Sequence, residues 1–117
     1  MIERRRHSRV KIDCPVYFIG SDKDGNVTAQ DVAVGLNISE NGILIESGEL
    51  INARFIQIMV TSRHKTTLKV RGEIVYSIQA EQGKFKTGIV FGVPPETAAS
   101  FVNEAIQMSS PVDDRSN

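Results

Sequence analysis

Apolar and polar residues alternate with a period of two through roughly the first ninety residues of this chain, and this pattern limits the fold more than any other feature. Val10, Ile12, Cys14, Val16 and Phe18 fall on one face of an extended segment, with Lys11, Asp13, Pro15, Tyr17 and Ile19 on the other. The stretch Ser21 to Asn26 follows, and its Asp24-Gly25 pair is a hairpin signal. A second strand is expected to carry Val32, Val34, Leu36 and Ile38 on one side and Ala33, Gly35, Asn37 and Ser39 on the other. Asn41-Gly42 marks another tight turn, before the apolar run Ile43-Leu44-Ile45. Alternation resumes at Ile56, Ile58 and Val60 after a polar loop from Glu46 to Asn52.

The segment from Thr66 to Ile78 reads as a long strand with Leu68, Val70, Ile74, Tyr76 and Ile78 inward. Gly72 interrupts that face, which predicts a bulge or a sharp bend of the kind barrels need at corners. Glu81 to Lys84 is a turn, and Phe85 to Phe91 a last strand. Beyond Pro94-Pro95 the period changes. Ala98, Phe101, Val102, Ala105 and Ile106 recur at helical spacing, and Pro95 and Glu96 suit a helix start. Hairpin-linked strands followed by one amphipathic helix predict a mainly β fold: a small six-stranded antiparallel β-barrel with one C-terminal α-helix. The expected organisation is a flexible basic arm over 1–9, the barrel and helix over 10–108, and a disordered tail over 109–117.

At 117 residues and 40% hydrophobic, the chain can bury a core for one domain without metal or disulfide. Its one cysteine permits no internal disulfide, which predicts a reducing, cytoplasmic setting. Lys11 and Asp13 interrupt any apolar run after the basic start, so it does not read as a signal peptide, and no stretch approaches membrane-spanning length. Catalysis finds little support. His7 and His64 lack carboxylate or cysteine partners at ligand spacing, Cys14 alternates with core residues, and no Gly-rich phosphate loop is present. The chain is expected to be neither an enzyme nor a metalloprotein and to need no cofactor.

Charge is zero overall but unevenly spread. Five of the fourteen Lys and Arg residues (Arg4, Arg5, Arg6, Arg9 and Lys11) lie at the start, opposed only by Glu3. Subtracting these from fourteen of each sign leaves nine basic and thirteen acidic residues, so the barrel is net acidic. With five Phe, two Tyr and no Trp, it offers few stacking surfaces for nucleic acid, and no DNA or RNA partner is expected. Clustered guanidiniums repel one another unless an anion sits among them, and the arginine fork grips phosphate and the O6 and N7 edge of guanine. From composition alone, a solvated basic tail is the other reading of the same residues. Asn37-Ile38-Ser39-Glu40-Asn41-Gly42 sets two short hydrogen-bonding side chains at a strand end, with a glycine that permits a positive φ or a close approach. Ordinary turn chemistry is the alternative there.

Together, and in this order, the two segments resemble one family. Arg5-Arg6-His7-Ser8-Arg9 is similar to the RxxxR element of PilZ domains, and Asn37 to Gly42 to their [D/N]xSxxG element. Gly88-Ile89-Val90-Phe91 followed by a helix resembles the family's closing strand and C-terminal helix, so the resemblance runs from Arg4 to about Met108. It implies a PilZ-like barrel that serves as a receptor for the bacterial second messenger cyclic di-GMP. Arg5 and Arg9 would be the main arginine contacts, Asn37, Ser39 and Gly42 the barrel side, and Asn41 a neighbouring turn contact. Arg4, directly before the motif, implies a stacked ligand pair. A downstream protein partner is implied without being named, and a PilZ-like adaptor with weak or absent ligand binding is the alternative.

Overall fold

The computed structural model describes residues 9–61 and 65–109. Six strands form: β1 (Val10–Ser21), β2 (Val27–Ile38), β3 (Gly42–Ser47), β4 (Phe55–Thr61), β5 (Thr67–Gln79) and β6 (Phe85–Phe91). Among the described residues one α-helix, α1 (Pro95–Met108), follows them. Neighbouring strands pair antiparallel in the order β1-β2-β3-β6-β5-β4, and β4 returns to β1 to close a barrel. Closure leaves no edge strand among the described residues. The expected fold is therefore the observed one.

The inward face of β1 is the one its alternation gives, with Ile12, Cys14, Val16 and Phe18 buried and Val10 at the exposed end. Ile56, Ile58 and Val60 of β4 and Ile43, Ile45, Val70 and Ile89 complete the interior. Two strands depart from the expected phase. In β2 the buried residues are Ala33 and Gly35, then Ile38 and not Leu36, while Val32 is exposed. The register slips between Gly35 and Asn37, where two residues of β2 face one of β3, so Leu36 is a bulge. In β5 Gly72 pairs regularly with Ile56 and Phe91, and the slip lies later, between Ile74 and Tyr76. Val75 is the extra residue. Beyond it Ser77 turns inward to Thr87 while Tyr76 and Ile78 face solvent, the reverse of the expectation.

Helix α1 starts at Pro95, where the missing N–H costs nothing, with Glu96 in its first turn. It buries Ala98, Phe101, Val102 and Ala105 against the barrel, packing on β1, β4 and β5. Phe101 meets Phe91 edge-on, with ring centroids 5.9 Å apart at 73°. At the far end the Asp13 amide donates to the Ser109 hydroxyl at 2.7 Å, tying the helix end to β1. Among the described residues every buried polar side-chain atom has a hydrogen-bond partner. Phe101 is the largest fully buried side chain, so Phe101→Ala is expected to cost about 3–5 kcal/mol. Urea denaturation followed by circular dichroism measures this, and a loss below about 1 kcal/mol would mean that the helix is dispensable.

Candidate ligand site at the β2–β3 rim

The bulge at Leu36 decides where Asn37 points. In an unbroken strand Asn37 would share the inward face of Ala33 and Gly35. One extra residue shifts the phase, turning Ile38 into the core and Asn37 out to the surface. β1 is irregular at the same level, its register slipping between Lys11 and Cys14. Asn37 therefore stands outward between Lys11 of β1 and Leu44 of β3. Bulges are common next to functional sites because they re-aim a side chain in this way.

Arg9, immediately before β1, reaches this position. Its Nη1 donates to Asn37 Oδ1 at 2.5 Å, joining residues 28 positions apart. The guanidinium has five N–H donors in a planar fork, so one bond to Asn37 leaves most of that fork for a phosphate or a purine edge. Arg4 and Arg5, the other expected arginine contacts, lie outside the described residues, as do His7 and His64.

Ser39, Asn41 and Gly42 form the turn beneath Asn37. The Ser39 amide donates to the Gly42 carbonyl at 2.9 Å, and the Asn41 amide donates to Ser39 Oγ at 3.1 Å. The Phe91 amide donates to the Asn41 carbonyl at 2.8 Å, fastening the turn to β6. Ser39 is buried, so it does not stand beside Asn37 on one outward face as simple alternation predicts. Its hydroxyl holds the turn together. Gly42 is not at positive φ; what the site requires of it is closeness. A Cβ there would lie 2.1 Å from the Ile89 carbonyl oxygen, so only glycine lets β3 start against β6. Asn41 is exposed at the tip of the turn.

The same transverse row continues beyond Asn37 in a way the sequence did not disclose. Leu44 pairs with Gly88, and Gly88 with Tyr76. Lys11, Leu44 and Tyr76 thus share the row of Asn37. The break in alternation at the consecutive apolar residues Ile74-Val75-Tyr76 was the local sign that Tyr76 faces out.

Elsewhere the chemistry is quiet. Cys14 is buried, and burial pushes its thiol pKa up, with the Asp13 carboxylate adding to the rise, so the thiolate is suppressed. No group of three or more His, Cys, Asp or Glu residues that could hold a metal occurs among the described residues. None of the described helices is long and apolar enough to cross a membrane. A cavity of about 580 Å³ lies on the β1–β4–β5 side between Phe55, Arg71 and the Asp22–Gly25 turn, away from Asn37.

The architecture is a closed six-stranded barrel with a C-terminal helix, in which a polar turn and an arginine meet at one rim. The PilZ domain family matches residues 3–107, and the chain belongs to that family, which is known for cyclic di-GMP receptors. Among solved structures it is similar in fold to the Bacillus subtilis inhibitor of motility MotI/DgrA. That match has 12% identity and a TM-score of 0.64, covering 91% of this chain and 51% of that one. It is also similar to MrkH of K. pneumonia in complex with c-di-GMP, at 13% identity and a TM-score of 0.61, covering 92% and 54%. The PilZ domain of YcgR from Escherichia coli with c-di-GMP matches at 14% identity and a TM-score of 0.56, covering 91% and 92%. The chain thus spans about half the length of MotI/DgrA and MrkH and nearly all of the YcgR domain. No curated protein sequence matches it.

Gly42→Ala forces a methyl group into the β6 backbone and is expected to cost about 3 kcal/mol or more of stability. Thermal and urea denaturation check this, and an unchanged midpoint would contradict the close approach of β3 to β6.

Proposed function

We propose that this domain is a cyclic di-GMP receptor that performs no catalysis, and that ligand binding creates a surface read by a downstream protein. The observation that carries this reading is the Arg9–Asn37 hydrogen bond, which brings the last arginine of one motif onto the first residue of the other. Two similar structures are described as c-di-GMP complexes, which supports the same ligand here.

In this reading Arg5 and Arg9 hold guanine and phosphate groups from the arm side. Asn37 offers its amide to a guanine edge from the barrel side. Ser39 and Gly42 set the turn that presents it, with Asn41 at the tip. The ligand's phosphates relieve repulsion among Arg4, Arg5, Arg6 and Arg9 and draw them across the rim, so part of the binding energy goes to ordering them. Arg4 before the motif favours two stacked ligand molecules per protomer. The domain acts in the cytoplasm, where this second messenger is found, with no nucleic-acid or membrane partner.

Each buried charge-assisted contact contributes roughly 1.5–3 kcal/mol, so Arg9→Ala is expected to weaken binding about tenfold to a hundredfold. Arg5→Ala together with Arg9→Ala should abolish measurable binding. Isothermal titration with cyclic di-GMP reads both effects and the stoichiometry. Saturation at two ligands per protomer is expected; saturation at one removes the role given to Arg4. No heat from the wild type would leave the barrel as a protein-binding adaptor.

A further inference from the structure

An apolar hollow outside both motifs lies where β1 and β4 part. These strands pair over Tyr17–Ser21 and Phe55–Met59. Beyond the Tyr17–Met59 pair they separate, and the end of α1 comes to the opening. Met108 forms one wall of a hollow of about 290 Å³, with Pro15, Tyr17, Val32 and Met59 around it. Val32 is 65% exposed and Tyr17 38%, so this apolar surface meets solvent.

The chain itself leads to the hollow. Ser109 ends α1 in extended backbone, with φ −71° and ψ 143°, and its hydroxyl accepts the Asp13 amide at 2.7 Å. Residues 110–117 follow, reading Ser-Pro-Val-Asp-Asp-Arg-Ser-Asn. Pro111 disfavours helical backbone at Ser110, which favours continuing in an extended form. Four residues of β1, about 13 Å, separate Asp13 from Tyr17, and an extended segment covers that distance in four residues. A segment that starts at Ser109 and follows β1 therefore brings Pro111 level with Pro15 and Asp113 level with Tyr17. Val112 falls between them, over the hollow.

Charge points the same way. Tyr17, Met59 and Lys69 make one transverse row, and Ile19, Gln57 and Arg71 make the next. Lys69 and Arg71 are exposed. The nearest acid in line, Glu73, is held by Arg54 at 3.5 Å, and among the described residues neither Lys69 nor Arg71 has an ion-pair partner. Asp113 and Asp114 reach the level of these two rows, and with Arg115 as its one base the segment is net acidic.

We propose that residues 110–117 dock on the outer face of β1, β4 and β5, with Val112 in the hollow and Asp113 and Asp114 beside Lys69 and Arg71. The segment covers apolar surface that otherwise meets solvent, and any partner of this face competes with it. The assignment is independent of the reading of the domain as a cyclic di-GMP receptor.

A nitroxide attached at Ser116→Cys tests this in the whole chain, because Cys14 is buried with its thiolate suppressed and reacts slowly. In ¹⁵N spectra without ligand, the Gln57, Lys69 and Arg71 amides are expected to lose most of their intensity. Glu46 and Lys86, paired on β3 and β6, should lose little. Spin-labelled protein without ¹⁵N, mixed with unlabelled ¹⁵N protein, should leave every amide unchanged. Asp113→Lys with Asp114→Lys should restore the lost intensity at Gln57, and adding Lys69→Glu with Arg71→Glu should remove it again. All four positions lie outside the core, so the barrel itself is left intact. Losses greatest at Asp13 and Gln107, beside Ser109, would overturn the proposal, because they mark a segment that does not reach the face. A pattern indifferent to charge reversal would overturn it as well. So would losses in the mixed sample, which would assign the face to a second copy of the chain.

Discussion

One extra residue in β2 holds this rim together. The barrel closes only if β2 keeps apolar side chains inward along its length, yet the rim needs a polar side chain facing out next to the start of β1. The bulge at Leu36 meets both demands, since Ala33 and Gly35 face in before it and Ile38 after it. Asn37 falls on the outside, where Arg9 reaches it. The turn that follows is then pinned from three directions: by the Ser39 hydroxyl, by the Phe91 amide, and by the approach of Gly42 to the Ile89 carbonyl.

This arrangement explains why the motif residues are not equivalent. Asn37 and Arg9 present polar groups at the surface, whereas Ser39 and Gly42 act beneath it, one by hydrogen bonding and the other by leaving room. Changes at the second pair alter the shape of the turn and carry a cost in stability. In the proposed receptor, changes at the first pair act on the ligand directly. A second bulge, at Val75, does for β5 what Leu36 does for β2, turning Tyr76 and Ile78 out and Ser77 in to Thr87. The two bulged strands lie three steps apart in the barrel, and their displaced residues end up on one outer row.

Much of the fold was legible because alternation is a local property. The inward faces of β1 and β4 follow directly from Ile12 to Phe18 and from Ile56 to Val60, and the helix from its stripe around Phe101. Phase was lost where register depends on a partner strand far away in sequence. Nothing near Leu36 announces that β3 will oppose it with one residue fewer. Gly72 drew attention to the wrong place in β5, because its lack of a side chain serves a close approach to the Val90 carbonyl and not a bulge. The site was legible to the extent that motifs carry it: Arg9 and Asn37 do meet. Ser39 was misplaced on the surface because alternation was carried one residue past the end of the strand, into a turn. Tyr76 was hidden by the same assumption of unbroken phase.

The central claim is that Arg9 and Asn37 form one end of a cyclic di-GMP site on the outside of the barrel. The most direct test is a ¹⁵N NMR titration that follows the Asn37 side-chain amide and the Arg9 Nε–H, with cyclic di-GMP in one series and GTP in another. The account predicts large, saturating shifts at both groups and at the Leu44 amide with cyclic di-GMP, and little change at Val27 and Thr28 at the far end of β2. Saturating ligand that leaves Asn37 and Arg9 unmoved, or equal shifts with GTP, would contradict it.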